Sequence, residues 1–273
     1  MDRTSIGRDT TLCMSLAARP GTFGSRFHNH LYERLGLDYV YKAFTTTDLS
    51  AAIGGIRALG IRGCAISMPF KEAVIPLLDG LAPSAQAIDS VNTIVNEGGR
   101  LTGHNTDYSA VRSLLEQSGI DPATPFLLRG SGGMAKAVAA ALHDGGFRQG
   151  TIVARNGRSG PALAEAYDYG WAEDLGSLTA PVLINVTPLG MAGGGEGQLA
   201  FPEAMIAAAQ AVFDVVALPV ETPFLRAARS RGKATISGAE VAVLQALEQF
   251  VLYTGIRPEP AAVEAAAVLA RVG

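Results

Sequence analysis

Phe126-Leu127-Leu128-Arg129-Gly130-Ser131-Gly132-Gly133-Met134-Ala135 is a short apolar run that breaks into glycine and then opens an alanine-rich helical pattern. It fits G-x-G-x-x-G/A, with Gly130, Gly132 and Ala135 at the fixed positions. Glycine lets the chain turn tightly and lets backbone approach a pyrophosphate. The helix that follows offers its N-terminal N–H groups and partial positive charge to that anion. A glycine-rich loop alone carries little weight, but this one follows a strand and opens a helix, the context the pattern requires. Gly130, Ser131, Gly132, Gly133, Met134 and Ala135 are therefore candidate cofactor-binding residues in a Rossmann-type unit.

The next strand decides which nicotinamide suits the loop. NAD binders place an acid about 20 residues on, where it holds the ribose 2′-hydroxyl. That region here reads Ala154-Arg155-Asn156-Gly157-Arg158, with no acid before Glu165. Arg155 and Arg158 can instead neutralise and fork-bond a 2′-phosphate, which favours NADP.

Outward from this loop the chain alternates strand and helix. The strands Thr151 to Ala154, Val182 to Val186 and Val212 to Val216 continue the pattern downstream. Upstream, the strands Thr11 to Leu16, Tyr39 to Phe44 and Gly63 to Ser67 alternate with helices Ser25 to Leu35 and Leu49 to Leu59. A helix near Lys71 to Leu78 follows the turn Met68-Pro69-Phe70. A β-like stretch, Ser90 to Asn96, ends at Glu97-Gly98-Gly99, and a helix covers Tyr108 to Ser118. Such repetition predicts mostly parallel sheets wrapped by helices. The tail is helical, Ala239 to Thr254 and Pro260 to Arg271, with no strand between, so it is expected to pack back on the first domain. Two α/β domains with a ligand cleft between them is the expectation.

The 273 residues carry a net charge of -3, which provides no basic face for nucleic acid. No apolar run reaches the ~18 residues that span a bilayer, and Met1-Asp2-Arg3-Thr4 opens no signal-peptide pattern. A cytoplasmic protein is expected. Cys13 and Cys64 lack metal-ligand spacing and read as buried thiols on strands, and no metal site is expected.

Two further segments carry chemistry. In Ser67-Met68-Pro69-Phe70-Lys71-Glu72 a lysine opens a helix directly after a strand. In Gly103-His104-Asn105-Thr106-Asp107 an aspartate precedes a helix near the domain boundary. Singly they read as a surface lysine and an N-cap. Together with Ser90-Val91-Asn92-Thr93, the glycine loop and Asn185-Val186-Thr187-Pro188-Leu189-Gly190-Met191, they resemble the shikimate dehydrogenase family. The segments Asp214…Pro219…Thr222-Pro223 and Gly238…Gln245…Thr254-Gly255 match it too, in order and spacing.

The resemblance implies an NADP-dependent oxidoreductase of aromatic amino acid biosynthesis, interconverting shikimate and 3-dehydroshikimate. It makes Lys71 and Asp107 the catalytic dyad, and Asn92, Gln245 and Ser67 substrate contacts. Asn185, Thr187, Pro188 and Met191 would line the nicotinamide pocket. Residues 1–107 and 238–273 would bind substrate and 108–237 the cofactor. The partner would be a small hydroxy acid, with the chain a monomer or homodimer. Dyad chemistry is physically reasonable: hydride delivery to a ketone builds negative charge on its oxygen, which an ammonium can stabilise and protonate.

The chain departs from the family at its N-terminal signature, S-x-S-P-x-x-H-N, whose serines hold the substrate carboxylate. Thr22-Phe23-Gly24-Ser25-Arg26-Phe27-His28-Asn29 keeps a hydroxyl at Thr22 and loses one at Gly24. Arg19 and Arg26 are nearby cations. Ala217 stands where the family has tyrosine in D-x-x-Y-x-P. Such differences resemble a diverged shikimate dehydrogenase-like subgroup. Three readings follow: a shikimate dehydrogenase, a related enzyme for quinate or another hydroxylated acid, and a non-catalytic NADP- or metabolite-binding module.

Overall fold

The computed structural model describes residues 6–271, so Met1-Asp2-Arg3-Thr4 lies outside it. The chain divides into two compact units, one running up to Thr106 and resuming at Val243, the other Asp107–Ala242.

The first unit is built on a six-stranded sheet. In chain order its elements are β1 (Thr11–Leu16), α1 (Phe23–Arg34), β2 (Tyr39–Phe44), α2 (Leu49–Ala58), β3 (Gly63–Ile66), α3 (Phe70–Ala73), β4 (Gly80–Leu81), α4 (Pro83–Gln86), β5 (Thr93–Glu97) and β6 (Arg100–His104). The strand order is β2-β1-β3-β5-β6-β4. β1 pairs in parallel with β2 and β3, and β4 with β6, whereas β5 alone runs antiparallel to its neighbours β3 and β6, so the sheet is mostly parallel with one reversed strand. The reversal comes from the turn at Gly98 and Gly99, whose φ values of 60° and 92° suit glycine and reverse the chain into β6, a strand the sequence pattern did not reveal. The helix expected over Lys71 to Leu78 is only one α-helical turn, α3, followed by a 3₁₀ turn at Ile75–Leu77. Pro76 is the reason, because it has no N–H and its ring crowds the carbonyl four residues back.

The second unit runs α5 (Thr106–Ser118), β7 (Phe126–Arg129), α6 (Gly133–Asp144), β8 (Gly150–Val153), α7 (Ser159–Ala166), β9 (Gly170–Ala172), β10 (Val182–Asn185), α8 (Glu203–Ala208), β11 (Ala211–Asp214), α9 (Pro223–Arg229) and β12 (Ala234–Ser237). Its sheet, ordered β12-β11-β10-β7-β8-β9, is parallel throughout. The order reverses between β7 and β10, which is where doubly wound sheets bind ligands, beyond the carboxyl ends of the strands.

Two long helices end the chain, α10 (Gly238–Thr254) and α11 (Pro260–Arg271). Leu247, Phe250, Tyr253, Val263 and Ala266 on them share one apolar core with Phe27, Leu31 and Tyr32 of α1. The tail thus completes the first unit's core. Gly63 on β3 admits the Tyr253 ring, since a Cβ there would stand 2.2 Å from it. Cys13 and Cys64 are buried free thiols on β1 and β3, as the sequence predicted.

His28 and Asn29 secure α1 to this core. The Asn29 carboxamide acts as an extra strand partner: its Nδ2 donates to the Tyr41 carbonyl at 2.9 Å, and its Oδ1 accepts from the Tyr41 N–H at 2.8 Å. His28 is buried, its ring stacked on Tyr41 with centroids 4.5 Å apart and planes 5° from parallel. Burial disfavours the imidazolium and lowers the pKa of His28 to about 3. Its folded form therefore stays neutral while the unfolded chain takes up a proton below about pH 6.5. Stability is present above that pH and is lost as pH falls towards 3, at up to about 1.4 kcal/mol per pH unit from this residue. His28→Phe should keep the stacking and remove that slope. Urea denaturation of both proteins at several pH values between 7 and 4 will show the mutant losing less stability. Parallel curves would mean His28 does not control the acid limb.

Candidate active site

In the first unit the strands deliver a set of buried polar side chains to the segment Ser90–Thr93. Asn92 is its centre. Its Oδ1 accepts from the Thr106 N–H at 2.8 Å and from the Thr93 hydroxyl at 2.8 Å. Its Nδ2 donates to Thr106 Oγ1 at 3.1 Å and to Gln245 Oε1 at 3.4 Å. Gln249, one helical turn beyond Gln245 on α10, donates to Thr93 Oγ1 at 3.0 Å. Asn105 Nδ2 donates to the Ser90 carbonyl at 2.9 Å, closing the same segment from its other side. Asn92, Thr93, Asn105, Thr106 and Gln249 are all buried, where an unmade hydrogen bond is costly.

This network touches both expected catalytic residues through the backbone. The Val91 N–H, next to Asn92, donates to the Lys71 carbonyl at 2.9 Å, so the α3 turn is tied to the Asn92 segment. Thr106, bonded twice to Asn92, directly precedes Asp107, the buried first residue of the second unit and part of the first turn of α5. Lys71 is half-buried, and Ser67 lies exposed at the mouth of the same β3–α3 turn. The turn is held by the Ser67 N–H on the Leu16 carbonyl and the Phe70 N–H on the Ser67 carbonyl.

Thr22 is the exposed N-terminal cap residue of α1, and Gly24 lies in that helix's first turn. A Cβ on Gly24 would stand 3.4 Å from the Tyr41 hydroxyl, an ordinary contact, and its φ is not in the left-handed region. Glycine here is a missing side chain rather than a conformational necessity.

The second unit holds a cavity of about 1000 Å³ at the switch point of its sheet. Gly130 and Ser131 beyond β7, Arg155 beyond β8, and Thr187, Pro188 and Met191 beyond β10 line it together. Gly132, Gly133, Met134, Ala135, Arg158 and Asn185 are not among the described residues that line it. Their places differ. Gly132 caps α6 and, with Gly133, is exposed, and a Cβ on either would meet no protein atom within 4 Å. Packing therefore does not require these glycines; they leave the backbone N–H groups of a 12-residue helix open to an anion. Gly130 is different: its φ of 121° is a left-handed-side value, and a Cβ would stand 2.8 Å from Val186 Cγ2. Ala135 is buried, Met134 half-buried, and Arg158 an exposed residue at the start of α7. The glycine cradle, the helix terminus and the basic lining together fit a dinucleotide.

Asn185 works behind the cavity wall. It is buried, donates to Asp214 Oδ1 at 2.9 Å and to the Leu189 carbonyl at 3.1 Å, and accepts from the Thr187 N–H and hydroxyl. Asp214 also accepts from Thr222 Oγ1 at 2.6 Å and the Val216 N–H at 3.2 Å. Burial pushes the Asp214 carboxyl up, and these bonds pull it partly back. Asn185 and Asp214 thus shape the Thr187–Met191 loop.

Sequence reasoning missed the roles of Thr93, Thr106 and Gln249. Gln249 had a signal, its i+4 spacing from Gln245. It also missed Ser159, whose hydroxyl meets that of Ser131 at 2.7 Å, and Asn156, whose Oδ1 accepts from the N–H groups of Arg158 and Ser159. Among the described residues no group of three or more His, Cys, Asp or Glu is placed to hold a metal ion, and no helix is long and apolar enough to cross a membrane.

Known proteins share this architecture. Residues 22–94 match the shikimate dehydrogenase substrate binding domain. A shikimate dehydrogenase-like protein of Haemophilus influenzae is 55% identical over 267 residues, covering 97% of this chain and 98% of that protein. The structure of shikimate 5-dehydrogenase from Thermus thermophilus, in complex with NADP(H) and shikimate, is similar at a TM-score of 0.84 and 31% identity, over 95% of this chain and 100% of that one. Quinate dehydrogenase from Corynebacterium glutamicum, in complex with NAD, is similar at a TM-score of 0.87 and 28% identity, over 95% and 98% of the two chains.

The Asn92 network yields a direct test. Asn92→Ala removes the acceptor of the buried Thr106 N–H and should cost about 1–3 kcal/mol. Chemical denaturation of the two proteins measures it, and a change below about 0.5 kcal/mol would show that the network carries no structural weight.

Proposed function

Because this chain belongs to the shikimate dehydrogenase family, we propose that it is an NADP-dependent oxidoreductase interconverting shikimate and 3-dehydroshikimate, with Lys71 and Asp107 as its catalytic pair. The observation that carries the reading is the Asn92 network, which ties the backbone of Lys71 and the residue before Asp107 to one buried segment. In this reading residues 1–107 and 238–273 bind the hydroxy-acid substrate, and 108–237 bind the cofactor. NADPH, when bound, would supply the hydride for the ketone carbon. The Lys71 ammonium stabilises the oxygen on which charge builds and donates a proton to it. Asp107 orients that ammonium and accepts from a neighbouring substrate hydroxyl. Asn92 and Gln245 hold ring hydroxyls, exchanging the 3.4 Å bond between them for bonds to the substrate, and Ser67 and Thr22 donate to the carboxylate. On the nucleotide side, Gly132 and Gly133 would present N–H groups to the pyrophosphate, Arg155 would meet the 2′-phosphate, and Thr187, Pro188 and Met191 would border the nicotinamide. Intact Lys71 and Asp107 argue against a non-catalytic module, which has no use for the pair.

Lys71→Ala and Asp107→Ala should each lower turnover by about 10²–10⁴-fold. NADP⁺ affinity, measured by fluorescence or calorimetry, should hold steady. Retained turnover in both variants would remove the pair from the mechanism.

One observation favours a related hydroxylated acid, quinate included, over shikimate. Gly24 supplies no hydroxyl for a carboxylate, and Ala217 no phenol. Each hydrogen bond missing to a charged group weakens binding by about 1.5–3 kcal/mol. A high KM for shikimate is expected in the unmodified protein. Serine fits at position 24, where the atoms nearest its Cβ are those of the Tyr41 phenol at 3.4 Å and beyond. Gly24→Ser with Ala217→Tyr should therefore raise kcat/KM for shikimate by about 10-fold or more. NADP⁺ reduction with shikimate, quinate and simpler hydroxy acids decides between the substrates. A folded double variant no better on shikimate would mean the pocket is built for another acid.

A further inference from the structure

Arg129, the last residue of β7, lies beside the glycine loop and was not singled out by the dinucleotide pattern. The strand register places it between Val153 on β8 and Asn185 on β10. It lines the same cavity as Arg155. Its side chain is half-buried and anchored, with Nη1 donating to the carbonyl of Ala200. A guanidinium has five N–H groups in a rigid fork, so that anchor fixes its position while Nε and Nη2 can serve another acceptor. Burial and the positive charge of Arg155 both oppose its protonated form, which places the two guanidiniums within electrostatic reach. No ion pair joins either arginine to an acid among the described residues. Glu173 and Asp174, which also line the cavity, are exposed and screened by water.

Two cations held on one cavity wall repel each other unless an anion lies between them. We propose that Arg129 and Arg155 form a two-guanidinium clamp for the 2′-phosphate of the nucleotide, with Arg129 rather than Arg158 as the second cation. Arg158 begins α7 as an exposed residue and does not line the cavity. The clamp rests on the NADP reading above and gives it a residue of its own. Arg129 is anchored before any ligand arrives, so it loses little side-chain freedom on binding. Arg155, exposed on the same cavity, supplies the other half.

Calorimetry with adenosine 2′,5′-bisphosphate and with ADP separates the phosphates, since only the first carries the 2′ group. Arg129→Leu should weaken the bisphosphate by about 10–150-fold, the loss of one charge-assisted bond, and change ADP affinity by less than about 3-fold. Arg129→Lys should recover part of the loss, and Arg158→Ala should stay within about 3-fold of the parent for both ligands. An equal loss for the two nucleotides in Arg129→Leu would assign Arg129 to their shared 5′-phosphate or to cavity shape and overturn the clamp. So would an unchanged bisphosphate affinity in a variant whose ADP binding shows it is folded. The parent reading fails separately: a wild-type protein that binds adenosine 5′-monophosphate, which differs from the bisphosphate only by the 2′ group, as well as it binds the bisphosphate has no 2′-phosphate site, and Glu173 or Asp174 would then be the group that meets the ribose. If the preference exists, disappears in Arg155→Ala and survives in Arg129→Leu, the NADP reading stands and the clamp alone falls.

Discussion

The carboxamide of Asn92 is the constraint on which the first unit's site depends. A buried amide must spend both its acceptor and its donors, and this one spends them on Thr93, Thr106 and Gln245. Three elements far apart in sequence are thereby brought to one point: the start of β5, the end of β6 and the C-terminal helix α10. Each bond is modest alone. Burial raises the cost of breaking any one, because the freed partner would stay dehydrated. Preorganised polar groups of this kind are also what a hydroxylated ring needs, since they do not have to be ordered when the ring binds.

The second unit solves its recognition problem with backbone instead. Parallel strands all end on one side of the sheet, and the reversal of order between β7 and β10 leaves a crevice there. Gly130 makes the tight turn into α6 that no other residue could make without colliding with Val186. Asn185 and Asp214 then shape the loop on the other side of the crevice. Side chains enter mainly as charges and borders. Hence the glycine loop has a compact linear pattern and the Asn92 network does not.

The C-terminal helices bear on both arguments. Their apolar faces complete the core around α1, and α10 also carries Gln245 and Gln249 to the Asn92 segment. Core packing and site geometry are thus coupled through one helix. The aromatic packing around His28 belongs to the same core and leaves a mark on stability rather than on chemistry: an imidazole kept neutral by burial makes that core sensitive to acid.

Much of this was legible in the residues. The strand-loop-helix at Phe126–Ala135 has local causes, an apolar run, glycines and alanine-rich periodicity, so its form was determined before any tertiary contact. The same holds for the C-terminal helices and for the thiols of Cys13 and Cys64. β6, the antiparallel turn of β5 and the break at Pro76 were less visible, because short strands take their pairing from neighbours rather than from their own pattern. The sequence alone also singled out the residues proposed for the site, Lys71, Asp107, Asn92 and Gln245 among them. Only the tertiary structure decided what surrounds them. Thr106 and Gln249 joined Asn92 through contacts spanning 14 and 157 residues, and Arg129 came to share a cavity with Arg155 through the pairing of β7 with β8. A linear motif records what one segment needs for its own conformation, whereas a buried hydrogen bond or a shared cavity wall exists only once distant segments have packed.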